Sequence, residues 1–283
     1  MVYLEPASDD DPCLRVGIFD DAVPAGVAFA TVRRSVGGAS ETDVRDAIKI
    51  PVSGALSRFD YEAPMDADLT YRAQWFDEGG VDAGFSEPAT TRVVGPWFAD
   101  GRPRVLLHNP LDPRTAVWVH PGAGWASALS RPTPGEVRWS HGARLGMVQS
   151  GRRRGLTEVQ LDVVTDTRED AERVDALFGT ETSPRLPVLC VRIPESLRLT
   201  RLPPVWFAAV LERTALRDPV GTDEVVWRMS ADQVEAPVPT LVIPSLSRAD
   251  IAAYYASRQA VADANPTRLS VSRRFDLAGS GGA

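Results

Sequence analysis

Short apolar runs, broken at close intervals by Gly, Pro and Asp, set the pattern of the first part of the chain. Cys13 to Phe19 (CLRVGIF) is one such run and stops at Asp20-Asp21. Gly26 to Gly38 is a second strand that runs into a Gly-Gly turn, and Asp46–Val52 and Ala55–Tyr61 follow. Leu69 to Phe76 alternates: Leu69, Tyr71, Ala73 and Trp75 fall on one side, and Thr70, Arg72 and Gln74 on the other. That period of two predicts a half-buried strand. Phe85 to Val94 closes the region. About seven short strands with turns every 8–12 residues predict a β-sandwich over residues 1–95. Between two of these strands, Pro64 and the acidic turn Asp66-Ala67-Asp68 predict a sharp crossing between sheets, after which Tyr71 enters the core.

Gly, Pro and Asp crowd together from Gly95 to Pro103, and the pattern restarts after them. We place a domain boundary there. Over 96–240 the chain reads as an antiparallel β-domain. Its strands are Arg104–Pro110, Thr115–His120, Glu136–Ser140, Leu156–Thr165, Pro187–Pro194, a bent Pro204–Leu216 and Glu224–Pro239. In Leu156–Thr165 the residues Val159, Leu161 and Val163 share one face, and Glu158, Gln160 and Asp162 the other. In the last strand Val225, Trp227, Met229 and Ala231 share a face. A single helix is inserted at Thr167–Gly179. Thr167 caps it, Ala171, Val174, Leu177 and Phe178 form its stripe, and Gly179 ends it. The tail, 241–283, carries a helix from Ser247 to Pro266, a last short strand at 267–277 and a glycine-rich end.

Composition supports this picture. The chain has 283 residues and 43% hydrophobic content, enough for one or two cores. Its 22 glycines and 23 prolines are spread out as turn punctuation. The net charge of -7 disfavours wrapping of nucleic acid, which requires clustered cations. Cys13 and Cys190 lie in apolar runs of different regions and are read as buried free thiols. The first residues have neither the basic start nor the apolar centre of a signal peptide. No stretch reaches the roughly 18 apolar residues of a membrane span.

Catalytic patterns are sparse. His108, His120 and His141 lack metal-ligand spacing and are read as surface or turn residues, and neither cysteine sits in a Cys-x-x-Cys. Ser140 and His141 are adjacent, so on a strand they face opposite ways. The Gly-containing run His120–Ser130 lacks the Gly-Lys-Ser/Thr of a phosphate loop. Asp77-Glu78 fits a hairpin turn. The expectation is a non-enzyme without metal or cofactor. Arg152, Arg153 and Arg154 form the one basic cluster, read as a solvated loop or a contact with an acidic face of a neighbouring copy. Most of the seven tryptophans fall in strands. Trp97 and Trp125, in loop contexts, are read first as core residues and otherwise as the candidates for a glycan or partner contact.

Two resemblances extend this reading. The run LTYRAQWFDEGGVDAGFSEPATT resembles the last two strands of a fibronectin type III or immunoglobulin-like module, with Tyr71 as its buried tyrosine. FDYEAPMDADLTYRA resembles a phrase of siphophage minor tail proteins, or distal tail proteins, of actinobacterial phages and prophages. LTEVQLDVVTDTREDAERVDALFGTETSPRLPVLCVRIP and VVWRMSADQVEAPVP are similar to later segments of the same family in order and spacing.

The resemblance implies an all-β dominated protein with an immunoglobulin/fibronectin III-like sandwich, a tail-tube-like antiparallel β-domain with one inserted helix, and a C-terminal helix. It implies a virion structural protein, assembled in the host cytoplasm, that forms a homo-oligomeric ring of six or three copies at the tail tip between tube and hub. Its partners would be the tail tube protein, the tape-measure protein and other tail-tip proteins. DNA would pass through the lumen without specific binding, and this chain would not enter a membrane. On that reading Glu158, Gln160 and Asp162 face the lumen. The rival reading is a carbohydrate-binding or adhesion module without catalysis, and a hydrolase comes third.

Overall fold

The structure is a computed structural model that describes residues 2–5, 13–96, 98–99, 101–179, 185–197, 201–217, 223–237, 248–265 and 271. The chain divides into two compact units, Met1–Val238 and Pro239–Ala283. The first is mostly β, and its strand pairs are antiparallel.

Nine strands open the first unit: β1 (Tyr3–Glu5), β2 (Val16–Asp20), β3 (Phe29–Val36), β4 (Thr42–Asp43), β5 (Ile50–Pro51), β6 (Leu56–Asp60), β7 (Asp68–Phe76), β8 (Asp82–Phe85) and β9 (Ala89–Arg92). One sheet has the order β1-β2-β6. The other is built on the long pair β3–β7, in register from Phe29 opposite Phe76 to Val36 opposite Leu69. β4 and β5 take the free side of β3, and β8 and β9 that of β7. Val16, Ile18 and Leu56 of the first sheet meet Ala30, Val32, Leu69, Tyr71, Ala73 and Trp75 of the second in one buried cluster. The alternation in β7 therefore buries the expected face. β6 and β7 belong to different sheets, so the segment Tyr61–Ala67 crosses between them. Asp66 adopts a left-handed φ of 60° at this crossing, and its N–H donates to the Val93 carbonyl at 2.8 Å. An aspartate tolerates that conformation better than a bulkier side chain.

After a tight hairpin of β10 (Phe98–Ala99) and β11 (Arg102–Pro103), the chain enters a second β-layer. Its elements are β12 (Val105–Asn109), β13 (Asp112–Pro121), β14 (Gly135–Arg138), β15 (Met147–Ser150), β16 (Val159–Gln160), β17 (Val163–Thr165), α1 (Arg168–Ala176), β18 (Val188–Arg192), β19 (Val205–Arg217) and β20 (Val225–Val234). The order β17-β13-β12-β18-β19-β20 closes on itself because β20 pairs with both β19 and β17, giving a six-stranded antiparallel barrel. β16 continues along the β17 edge of β20. Closure satisfies ladder groups that an open sheet leaves free at its edges. Alternate residues fill the interior, among them Val105, Leu107, Val119, Leu189, Trp206 and Trp227. β19 carries a register shift between Val210 and Glu212, the bend expected there.

α1 joins the same core through Val174, Leu177 and Phe178. Thr167 caps it by accepting from the Asp170 N–H, and Gly179 ends it at a φ of 79°. The strand β14, expected within the β-domain, instead pairs only with β15 in a two-stranded hairpin.

Sandwich and barrel share apolar surface. Leu106 and Ala116 of β12 and β13 belong to the sandwich cluster, with Trp118 packed against it. Gly95, between the two layers, permits this approach: a Cβ there would lie 2.4 Å from Leu14 Cδ1 and 3.0 Å from the Trp118 ring.

In the second unit the expected single helix is two, α2 (Arg248–Tyr254) and α3 (Arg258–Ala264). The break falls at Ser257, whose extended backbone and hydroxyl, accepting from the Ala260 N–H, start α3 afresh. The cap expected at Ser247 lies outside the described residues, as does the strand expected at 267–277 apart from Val271. Among the described residues no helix is long and apolar enough to cross a membrane.

Candidate functional site

The crossing segment and the barrel strand β18 meet in a buried polar junction. Asp60, at the end of β6, accepts from Tyr71 Oη at 2.8 Å and from Arg34 Nη1 at 2.5 Å through one carboxylate oxygen. Its other oxygen accepts from the Glu62 N–H at 2.9 Å. Asp60 thus ties the first sheet to β3 and β7 of the second. Burial, then the neighbouring Asp60 charge, pushes the Tyr71 hydroxyl well above the usual tyrosine range. Burial opposes the charge of Arg34, but Asp60, Tyr71 and Glu62 outweigh it and raise its pKa.

Glu62 receives Arg45 in a forked pair, Nε at 2.6 Å and Nη2 at 2.5 Å. Arg45 also donates to the carbonyls of Pro110 at 3.0 Å and Pro237 at 2.7 Å, both on the barrel side. Burial raises the Glu62 pKa, and Arg45 restrains the rise. Arg192 of β18 is fully buried. It donates to Ala63 O through Nε at 3.1 Å and Nη2 at 2.7 Å, to Leu14 O at 3.2 Å, and to Cys13 O. Every partner is a backbone carbonyl, so the cation is solvated by oriented dipoles.

Beside this junction lies a pair of residues that looks reactive on paper. His108 stands opposite Cys190 in the β12–β18 register, and both are fully buried. Burial, and then the charges of Arg192 and Arg45, hold the His108 pKa well below its ordinary value. Burial, and then Glu62, hold the Cys190 thiol well above its own. A neutral imidazole beside a protonated thiol is the reverse of an activated nucleophile. Neither Cys13 nor Cys190 is in a disulfide, and both are buried, as expected.

The histidines correct the reading from sequence. His108 and His120 are buried strand residues, and only His141 lies on an exposed turn. His120 meets Asp166 Oδ2 at 2.8 Å through Nε2 and Pro103 O at 2.8 Å through Nδ1. Arg102 and Arg104 also pair with Asp166. With both ring nitrogens engaged, this cluster clamps β11 and β13 to the end of β17 and leaves no nitrogen for a nucleophile. Among the described residues no group of three or more His, Cys, Asp or Glu converges to hold a metal ion.

Arg152, Arg153 and Arg154 are exposed in the segment that leaves β15. The Arg154 N–H donates to Pro132 O at 2.9 Å, which places the cluster at the root of the β14–β15 hairpin. Glu158 and Gln160 are exposed and Asp162 is half-buried, alternating with the fully buried Val159, Leu161 and Val163. Glu158 and Gln160 face solvent, and the Asp162 carboxylate lies against the turn at Gly122–Gly124. The arginines and this acidic row are separate features of one continuous stretch of chain.

Trp125, read first as a core residue and otherwise as a candidate for a glycan or partner contact, takes the first of these places. It is 7% exposed and packs in the barrel core. Trp97 lies outside the described residues. Among the described residues the exposed tryptophan is Trp139, at 64% exposure just beyond β14. Sequence reasoning missed it because the alternation in Glu136–Ser140 looks the same whether or not another layer covers its apolar face. The Pro- and Arg-rich flanks of that stretch were the available signal.

In comparisons with known proteins, no family model, no curated protein and no solved structure matches the chain.

Proposed function

We propose that the chain is a structural minor tail protein of a long-tailed phage or a prophage-derived tail, forming a ring at the distal tip between tube and hub. The observation that carries this reading is the six-stranded antiparallel barrel flanked by one helix, with a two-sheet sandwich before it. The barrel and helix suit the tail-tube-like domain implied by the sequence resemblance. The sandwich suits the fibronectin III-like module: three strands on one sheet, a β3–β7 sheet opposite, and a buried Tyr71 in β7, the strand against which the closing β8 and β9 both pair. A rigid double layer of this kind is a scaffold on which many copies of a modest interface can close by cyclic symmetry. In that ring Glu158, Gln160 and Asp162 would line the lumen, and the two carboxylates would repel passing DNA, so that it slides without binding. The tape-measure and tail tube proteins would be its neighbours.

The second reading is a glycan-binding or adhesion module, and the exposed Trp139 ring is the observation that favours it. Solution mass across a concentration series, with electron microscopy of the largest species, separates the two. Closed rings of six or three copies are expected on the first reading. A monomer at every concentration, together with a saturable glycan-induced change in tryptophan fluorescence lost in Trp139→Ala, would favour the second.

A further inference from the structure

Residues 130–155 form an arm that belongs to neither core. All of them are exposed except the half-buried Gly146. Backbone hydrogen bonds run up the arm from Thr157 N to Ser130 O at 3.0 Å, through Arg154 to Pro132 and Gly151 to Pro134, and along the β14–β15 ladder to a turn at Ser140–Ala143. About ten residues of extended strand reach roughly 30 Å.

The arm has two unlike faces. Val137 stands opposite Val148 in register, and Trp139 lies on the same side by strand alternation. Their exposures are 54%, 74% and 64%. Gly146 completes this face: a Cβ there would lie 2.5 Å from Val137 Cγ1 and 3.0 Å from the Trp139 ring, so only glycine lets the indole lie against the opposite strand. Glu136, Arg138, Met147 and Gln149 take the other side. A two-stranded hairpin with one apolar face is marginal in water unless that face is covered.

Charge identifies the cover. The arm holds six arginines and one acid, Glu136, a net +5 in a chain of net charge -7, so the remaining residues carry -12. A basic, apolar arm is complementary to the acidic body of another molecule of the same chain. We propose that the arm docks on a second copy, burying Val137, Trp139 and Val148 while Arg152, Arg153 and Arg154 at its root pair with acidic groups of that copy. This rests on the ring reading and supplies its contact. Because an arm meets a different surface on its neighbour, the interface is heterologous, the kind that propagates around a ring.

The test compares the full chain with a variant in which 132–153 are replaced by a short Gly-Ser turn, and with the triple variant Arg152→Glu, Arg153→Glu, Arg154→Glu. The arm touches neither core, so both variants should melt as the full chain does. The full chain should self-associate with a blue shift of Trp139 emission. The armless variant should associate at least ~100-fold more weakly, and the triple variant should show weak association that no longer declines with salt. Equal association with and without the arm would overturn the proposal while leaving the ring reading intact. A full chain that stays monomeric, or one whose arm instead binds short duplex DNA or anionic vesicles, would also overturn it. Arm-dependent pairs that never close would support the arm and count against the ring.

Discussion

Arg192 Nη2 lies 2.7 Å from the carbonyl oxygen of Ala63, with Nε 3.1 Å from the same atom. One residue is on a barrel strand and the other in the crossing segment of the sandwich, so this forked contact joins the two β-layers. Replacing Arg192 with Met would keep much of the packing but take the guanidinium donors away from the carbonyls of Leu14 and Ala63. Each stranded buried acceptor costs about 1–3 kcal/mol. Arg192→Met is expected to lower stability by roughly 3–5 kcal/mol in urea denaturation. A loss below about 1 kcal/mol would show that water replaces the guanidinium there.

The Asp60 carboxylate serves Tyr71 and Arg34 together. Tyr71→Phe removes one hydrogen bond to a charged group, about 1.5–3 kcal/mol. Asp60→Asn leaves the half-buried Arg34 without its nearest counter-charge and is expected to cost more, roughly 2–4 kcal/mol. The double variant should cost less than the sum of the two single ones, as residues sharing one network do. Strict additivity in a double-mutant cycle would contradict the geometry.

Gly95 has no room for a side chain between Leu14 and Trp118. Gly95→Ala is expected to destabilise by about 1–3 kcal/mol through overpacking, although alanine is normally benign in a loop. Thermal melting of the variant beside Gly101→Ala, where the cost comes instead from a φ of 74°, would separate crowding from backbone strain. Measured in a Leu14→Ala background, the cost of Gly95→Ala should be smaller than in the natural chain. An equal cost in both backgrounds would count against crowding by Leu14.

His108 gives the fold a pH dependence of definite sign. Its folded pKa is held well below the ordinary value of 6.5 by burial and by Arg192 and Arg45. Below about 6.5 the unfolded chain binds a proton that the folded chain refuses. Its contribution to stability is therefore complete above that pH and is lost as the pH falls from there toward the folded pKa. Glu62 and Asp46, with raised pKa values, act in the opposite sense above their ordinary values of 4.5 and 3.8. The His108 effect should stand clear just below pH 6.5. Denaturation midpoints between pH 7.5 and 5.5 should fall in the natural chain and stay flatter in His108→Leu. That variant also removes two buried ring nitrogens without a hydrogen-bond partner and should be about 1 kcal/mol more stable at pH 7.5.

Local pattern determined much of this protein. The alternation Leu69–Tyr71–Ala73–Trp75 predicts the buried face of β7, Val159–Leu161–Val163 that of β16–β17, and Val225–Trp227–Met229–Ala231 that of β20. Thr167 and Gly179 mark the ends of α1. These features depend on side-chain period and on caps within a few residues, which a sequence displays directly. The acidic row Glu158, Gln160 and Asp162 was legible for the same reason.

Other features were decided by tertiary contacts alone. Nothing within His108 or Arg192 announces that each will be fully buried, because burial is set by segments distant in the chain, such as those that bring the Leu14 and Ala63 carbonyls onto Arg192. Trp125 and Trp139 both sit among glycines and serines, yet one fills the barrel core and the other projects from the arm. The closure of the barrel through β20 was equally silent, since strand pairing is a property of two segments and alternation is a property of one. Period along a chain says which side of a strand is apolar. Whether another layer covers that side depends on where the rest of the chain goes.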